Sequence, residues 1–130
     1  MIYKKQKLDL IPINLEDYVR RGKGEFRGFS VTKKGYIYAT TLVKKELNLN
    51  VGQYLAFAKN GKRWFVVADP ESGCEITRNK KRLEIRLGVG LVTAICDDLR
   101  IENKVRRFYL SESRIPSKGV FWYELLKNKL

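Results

Sequence analysis

Two clusters of positive charge are the residues of this chain best equipped for chemistry. Residues 20 to 34 hold Arg20, Arg21, Lys23, Arg27, Lys33 and Lys34 against one acid, Glu25; residues 78 to 86 hold Arg78, Lys80, Lys81, Arg82 and Arg86 against Glu84. Guanidinium and ammonium groups neutralise phosphates and release condensed counterions, so such clusters point to polyanion binding. The chain as a whole has the same bias, with 27 Lys+Arg against 14 Asp+Glu and a formal charge of +13. A charge so far from zero strains the compact state by self-repulsion, which favours a polyanionic partner, nucleic acid first. Solvated loops whose charge only maintains solubility are the alternative reading of the same residues.

Other chemistry has little material. The chain contains no histidine, the side chain best suited to general acid–base work near neutrality. Asp97 and Asp98 are adjacent and diverge on a helix, so they form neither a convergent carboxylate pair nor a metal site. Cys74 and Cys96 are isolated and make no C-x-x-C pair. They read as reduced thiols in a cytoplasmic protein, with Cys96 disfavoured as a nucleophile by its acidic neighbour. No enzyme, cofactor or metal is expected. Lys4, Lys5 and Lys7 open the chain, but Asp9, Pro12 and Asn14 interrupt the apolar stretch that a secretory leader needs, and no segment approaches membrane-spanning length.

The elements that must position these cations can be read from periodicity. At 130 residues and 44% hydrophobic composition the chain suits one compact domain with a substantial core. Residues 1–28 read as an N-terminal extension and a basic, glycine-rich arm. From Phe29 an alternating strand turns through Lys33-Lys34-Gly35 into Tyr36-Ile37-Tyr38, and Thr40 or Thr41 caps a short helix carrying Val43 and Leu47 on one face. "YLAFA" is the next strand, Asn60-Gly61 a type I′ hairpin turn, "KRWFVVA" the strand paired with it, and residues 70–82 a joining loop. "LEIRLGVGLV" alternates like a strand or hairpin, "TAICDDL" is a second short helix, "VRRFYLS" a strand, "ESRIPSKG" a longer turn and "VFWYELL" the last strand. Trp64 and Trp122 are expected to anchor the core. Tyr36 and Tyr38 read first as half-buried sheet residues and second as stacking platforms for bases.

The order of elements in residues 29–69 recurs in residues 83–125. A shift of 52 places Ile37 on Val89, Ala39 on Leu91, Val43 on Ile95, Leu47 on Leu99 and Leu49 on Ile101. A shift of 53 places Leu55 on Phe108 and Phe57 on Leu110, and a shift of 58 places Trp64 on Trp122. At Gly35, Ile37, Leu47-x-Leu49, Gly52-Gln53 and Leu55-x-Phe57 the chain resembles the AbrB/MazE swapped-hairpin family of DNA-binding proteins, and two units in one chain resemble MraZ. The clear resemblance spans residues 29 to 67. It departs from the family at Thr40, Tyr36 and Gln53, where a proline, an arginine and an acid are usual.

That resemblance implies a predominantly β, α+β fold: tandem swapped-hairpin units forming one pseudo-twofold, barrel-like sheet with short helices. It implies a non-catalytic DNA-binding protein, a transcriptional regulator or accessory factor. Lys44 and Lys45 fall where the family carries basic residues in its short helix, whereas the second copy has Cys96 and Asp97 there. The expected contacts are Lys33, Lys34, Lys44, Lys45, Arg82 and Arg86, with Arg20, Arg21, Lys23 and Arg27 as a basic arm. Two alternatives stay open: a single-strand or RNA binder, and an antitoxin-like module whose residues 1 to 19 or tail "FWYELLKNKL" hold an acidic protein. A homo-oligomer is compatible with either.

Overall fold

The computed structural model describes residues 10–12, 26–102 and 106–128. Along the chain the elements are β1 (Gly28–Val31), β2 (Tyr36–Ala39), α1 (Thr41–Glu46), β3 (Tyr54–Asn60), β4 (Arg63–Asp69), β5 (Cys74–Asn79), β6 (Arg82–Arg86), α2 (Val89–Leu99), β7 (Arg107–Ser117) and β8 (Val120–Leu126). The strands pair antiparallel in the order β1-β2-β6-β5-β3-β4-β8-β7 and close into a barrel through β1 and β7. Every strand has a neighbour on both sides, although the β3–β5 seam is two residue pairs long and β7 beyond Tyr109 pairs with β8 alone.

Alternation along each strand fills the barrel. Phe29, Ile37, Leu55, Val66, Ile76, Ile85, Phe108 and Leu125, one from each strand, are fully buried. Several face one another across the ladder, as Phe29 does Phe108 and Ile85 does both Ile37 and Ile76. The helices add their apolar stripes to this core through Val43 of α1 and Val92, Ile95 and Cys96 of α2. Both helices end alike. Asn48 and Arg100 take left-handed conformations, and the next residues, Leu49 and Ile101, donate their N–H groups back to Lys44 O and Cys96 O at 3.0 and 2.8 Å. This is a Schellman stop, with an apolar residue folded over the last turn.

Several boundaries differ from those expected. Residues 74–79, assigned to a joining loop, form β5. One fully buried side chain, Ile76, with Cys74 packed against the core on the same face, commits this polar segment to the sheet, and the loop shrinks to residues 70–73. There Asp69 Oδ1 accepts from the N–H groups of Glu71 and Ser72 at 2.7 and 3.0 Å. Val89 and Leu91, matched by the shift of 52 to strand residues, lie instead in the first turn of α2. The strand partner of Ile37 is Ile85. The "ESRIPS" segment is not a turn: β7 runs to Ser117, and Lys118-Gly119 alone reverses the chain, both with positive φ. In the β3–β4 hairpin Asn60 pairs with Arg63, so the turn residues are Gly61 and Lys62, and only Gly61 has positive φ. Trp122 is half-buried; its strand sends Tyr123 and Leu125 inward. Regular alternation along β8 puts Trp122 on the opposite face; β7, by contrast, is irregular between Leu110 and Arg114, where Ser111 Oγ accepts from Glu124 N–H at 2.9 Å and donates to Ser113 O at 2.9 Å.

Trp64 does anchor the core, at 7% exposure, and its indole N–H donates to Asp98 Oδ2 at 2.8 Å. Lys59 Nζ reaches the same oxygen at 3.2 Å, so one carboxylate ties α2 to β3 and β4. These bonds, Trp64 first, hold the Asp98 carboxyl below its ordinary range. A lowered folded-state pKa adds stability that is present above the unfolded-state value and is lost as pH falls through the folded one. Asp98→Asn is therefore expected to lower the urea midpoint at neutral pH, with the gap from the parent narrowing below about pH 4. A gap that persists unchanged into acid would show that the charge contributes nothing.

Gly35 and Gly88 share a φ of +88° but differ in space. A Cβ on Gly35 would lie 2.5 Å from the Gly88 carbonyl carbon, whereas one on Gly88 would meet nothing within 4 Å. Gly88→Ala is expected to cost about 1–3 kcal/mol from backbone strain alone. Gly35→Ala is expected to cost roughly 1–3 kcal/mol more, read as the difference in unfolding free energy from urea titration.

Candidate nucleic-acid interface

β1, β2, β6 and β5 form one continuous side of the barrel. Alternation turns Ile37, Leu83 and Ile85 inward and leaves Tyr36, Tyr38, Arg82, Glu84 and Arg86 on the outer surface. Register sets the neighbours: Tyr36 lies opposite Arg86, and Tyr38 opposite Glu84. The Arg86 guanidinium sits over the Tyr36 ring at 5.9 Å and that of Arg82 over the Tyr38 ring at 4.0 Å. Each stack holds a planar cation against a rigid base and leaves its N–H edge available.

Two acids lie on this surface: Glu75 of β5 is exposed, and Glu84 of β6 is already engaged. Tyr38 Oη donates to Glu84 Oε2 at 2.5 Å, and Asn79 Nδ2 donates to the same oxygen at 3.0 Å. The Tyr38 hydroxyl, then Asn79, keeps the Glu84 carboxyl below its usual range, while the same bond raises the Tyr38 phenol. Glu84 is therefore an anchored carboxylate that fixes the ring on which Arg82 rests.

Lys33 and Lys34 occupy the β1–β2 turn, and Lys80 and Lys81 the β5–β6 turn. Because β2 and β6 run antiparallel with Tyr36 opposite Arg86, these two turns sit at opposite ends of the shared surface. Lys44 and Lys45 lie in the last turn of α1, and Lys44 shares a cavity with Lys81 and Arg82. Lys33, Lys34, Lys44, Lys45, Arg82 and Arg86 are all exposed. The ion pairs among the described residues are Arg27–Glu46, Lys59–Asp98 and Arg63–Glu124, and none involves β1, β2, β5 or β6.

Arg27 does not belong to a flexible arm. Its Nη1 donates to the carbonyls of Leu110 and Ser111 at 2.6 and 2.7 Å, and its Nε donates to Glu46 Oε2 at 2.6 Å. This guanidinium joins the entry to β1, the end of α1 and the irregular part of β7, so it is internal structure. Arg20, Arg21 and Lys23 lie outside the described residues. The residue whose contribution the sequence understated is Lys81: it was visible within the second basic cluster, but only the tight turn beside Arg82 brings it to Lys44.

Among the described residues no group of His, Cys, Asp and Glu side chains could hold a metal ion. Burial pushes the thiols of Cys74 and Cys96 up. No helix among the described residues is long and apolar enough to cross a membrane. Comparison with family models, curated proteins and solved structures finds no match to this chain.

The two kinds of arginine separate by experiment. Arg27→Met leaves two carbonyls and a carboxylate without their donor and is expected to cost about 2–3 kcal/mol of stability. Arg86→Ala, at the exposed surface, is expected to cost less than about 1 kcal/mol. Urea unfolding of the two variants measures both; equal losses would mean that the assignment of roles is wrong.

Proposed function

We propose that this protein binds DNA without catalysis, as a transcriptional regulator or accessory factor, holding backbone phosphates against the β1–β2–β6–β5 side of the barrel. The observation that carries this reading is the gathering of cations on one sheet surface, Arg82 and Arg86 stacked on Tyr38 and Tyr36 between two lysine-bearing turns. Lys33, Lys34, Lys80, Lys81, Arg82 and Arg86 border this surface without an ion pair among the described residues. Of the acids on this side, Glu84 is held by Tyr38 and Asn79, and Glu75 is exposed on β5. Cations without an ion pair also occur elsewhere among the described residues, at Lys62, Arg100, Lys118 and Lys127. On this side two arginines are backed by tyrosine rings and a lysine pair stands in the turn at either end, an arrangement that suits a polyanion.

The reading extends to origin: two AbrB-like units fused in one chain and related by a pseudo-twofold axis. Exchanging β1–β4 for β5–β8 leaves every strand pairing in the barrel unchanged, and the matched Schellman stops after α1 and α2 keep the shift of 52. Both are expected of a duplicated unit. The longer α2, 11 residues against 6, accounts for strands and helices following different shifts.

Duplex DNA is favoured over a base-stacked single strand because the Tyr38 ring already carries Arg82 at 4.0 Å. The antitoxin-like alternative is weakened, since most of its tail is built into β8, with Tyr123 and Leu125 in the core. Its other proposed segment, residues 1 to 19, lies mainly outside the described residues.

If about six phosphates are engaged, duplex affinity plotted as log K against log salt falls with a slope near −5. Arg86→Ala should reduce that slope by about 1. Fluorescence anisotropy over a salt series measures both, and an affinity indifferent to salt would overturn the reading.

A further inference from the structure

On the basic side a cavity of about 300 Å³ opens where β1 and the junction of β2 with α1 meet the β5–β6 hairpin. Ser30, Thr40, Thr41, Lys44, Lys81 and Arg82 contribute to its lining, which amounts to three hydroxyls and three cations around one hollow. None of the three cations has an ion pair among the described residues. Arg82 is held in place by the Tyr38 ring, itself tethered through Glu84. Thr40 Oγ1 accepts from Gly28 N–H at 3.2 Å, so its own O–H remains available to donate. A pre-oriented guanidinium, two ammonium groups and hydroxyl donors are the complement of a tetrahedral oxyanion.

The corresponding place in the second half is closed and has no helix lysines, although Lys33 and Lys34 stand in its turn. There Gly35 O accepts from the N–H groups of Leu87 and Gly88 at 2.8 and 3.0 Å, and the backbones approach until a Cβ on Gly35 would collide with Gly88. Where α1 presents Lys44 and Lys45, α2 has Cys96, 4% exposed, and Asp97. An otherwise repeated architecture is thus hollow, and lined by a helix lysine, at one of two related positions.

Resting on the DNA-binding reading above, we propose that this cavity is a dedicated seat for one phosphate of the nucleic-acid backbone, gripped by Lys44, Lys81 and Arg82. The seat occurs once per chain and belongs to the side of the barrel that bears α1. The remaining cations of the surface then act as a diffuse field, and this position fixes register along the duplex.

The test uses inorganic phosphate and a short duplex on the whole chain. With chloride adjusted to hold ionic strength constant, phosphate is expected to give saturable amide shifts in 15N-resolved NMR at Thr40, Thr41, Lys44, Lys81 and Arg82, and none at Lys33 or Lys34. Lys44→Ala/Arg82→Ala is expected to abolish saturation, weaken duplex binding at least tenfold and lower the salt slope by about 1. Lys33→Ala/Lys34→Ala should keep the phosphate shifts. Arg82→Lys, which keeps charge but loses the planar stack, should fall between, and unchanged melting temperatures would show that all variants fold. Shifts spread evenly over exposed lysines, or duplex binding untouched by Lys44→Ala/Arg82→Ala, would overturn the seat while leaving the DNA reading standing. Saturable phosphate shifts in a protein that retains no duplex would uphold the anion site and overturn its assignment to nucleic acid.

Discussion

Closure of the barrel depends on pairing between the two halves of the chain. Each of β1, β2, β3 and β4 has one neighbour from its own half and one from the other: β7, β6, β5 and β8 respectively. Neither half could satisfy its strand edges alone, nor cover residues such as Ile37 and Leu55, which are fully buried only in the complete sheet. An isolated hairpin is marginal in water, and an open hydrophobic edge invites association with other chains. Interleaving removes both problems together, with the core residues as the common reward: one fully buried side chain from every strand.

The same closure restricts how the molecule can meet a partner. With backbone donors and acceptors largely used in the ladders, the β1–β2–β6–β5 side presents outward side chains and hairpin turns. Their positions follow from register. Tyr36 faces Arg86 because β2 and β6 pair about Ile37 and Ile85, and a slip of one residue would turn Arg86 toward the core and Ile85 toward water. Burial of two isoleucines therefore places the arginine stacks. The interface inherits its geometry from the core, and exposed cations cost little stability there because no packing relies on them.

Much of this was legible in the sequence, and what was missed had local causes. β1, β2, α1, β3, β4 and β8 could be read because their apolar residues alternate or fall four apart between clear turn residues. β5 was hidden because "CEITRN" offers one buried apolar residue among polar ones. The start of α2 was mistaken for a strand because Leu87, Val89 and Leu91 alternate with two glycines. The decisive spacing is that of Val92, Ile95 and Cys96, which share the buried stripe. Trp122 was matched to Trp64 by residue type, while alternation along β8 and its pairing with β4 turn Tyr123 and Leu125 inward. For the interface, exposure of Lys44, Arg82 and Arg86 was foreseeable from their spacing. The engagement of Arg27 was not, because its partners, Leu110 and Ser111, lie more than eighty residues away.

The four-residue link between β4 and β5, folded by Asp69 onto the N–H groups of Glu71 and Ser72, bears on which molecule completes the sheet. A connection so short keeps the complementary half at an effective concentration on the order of millimolar. Trading halves with a neighbouring molecule would require the same link to straighten, surrendering its two Asp69 bonds. With all eight strands on one chain, closure of the barrel is independent of protein concentration.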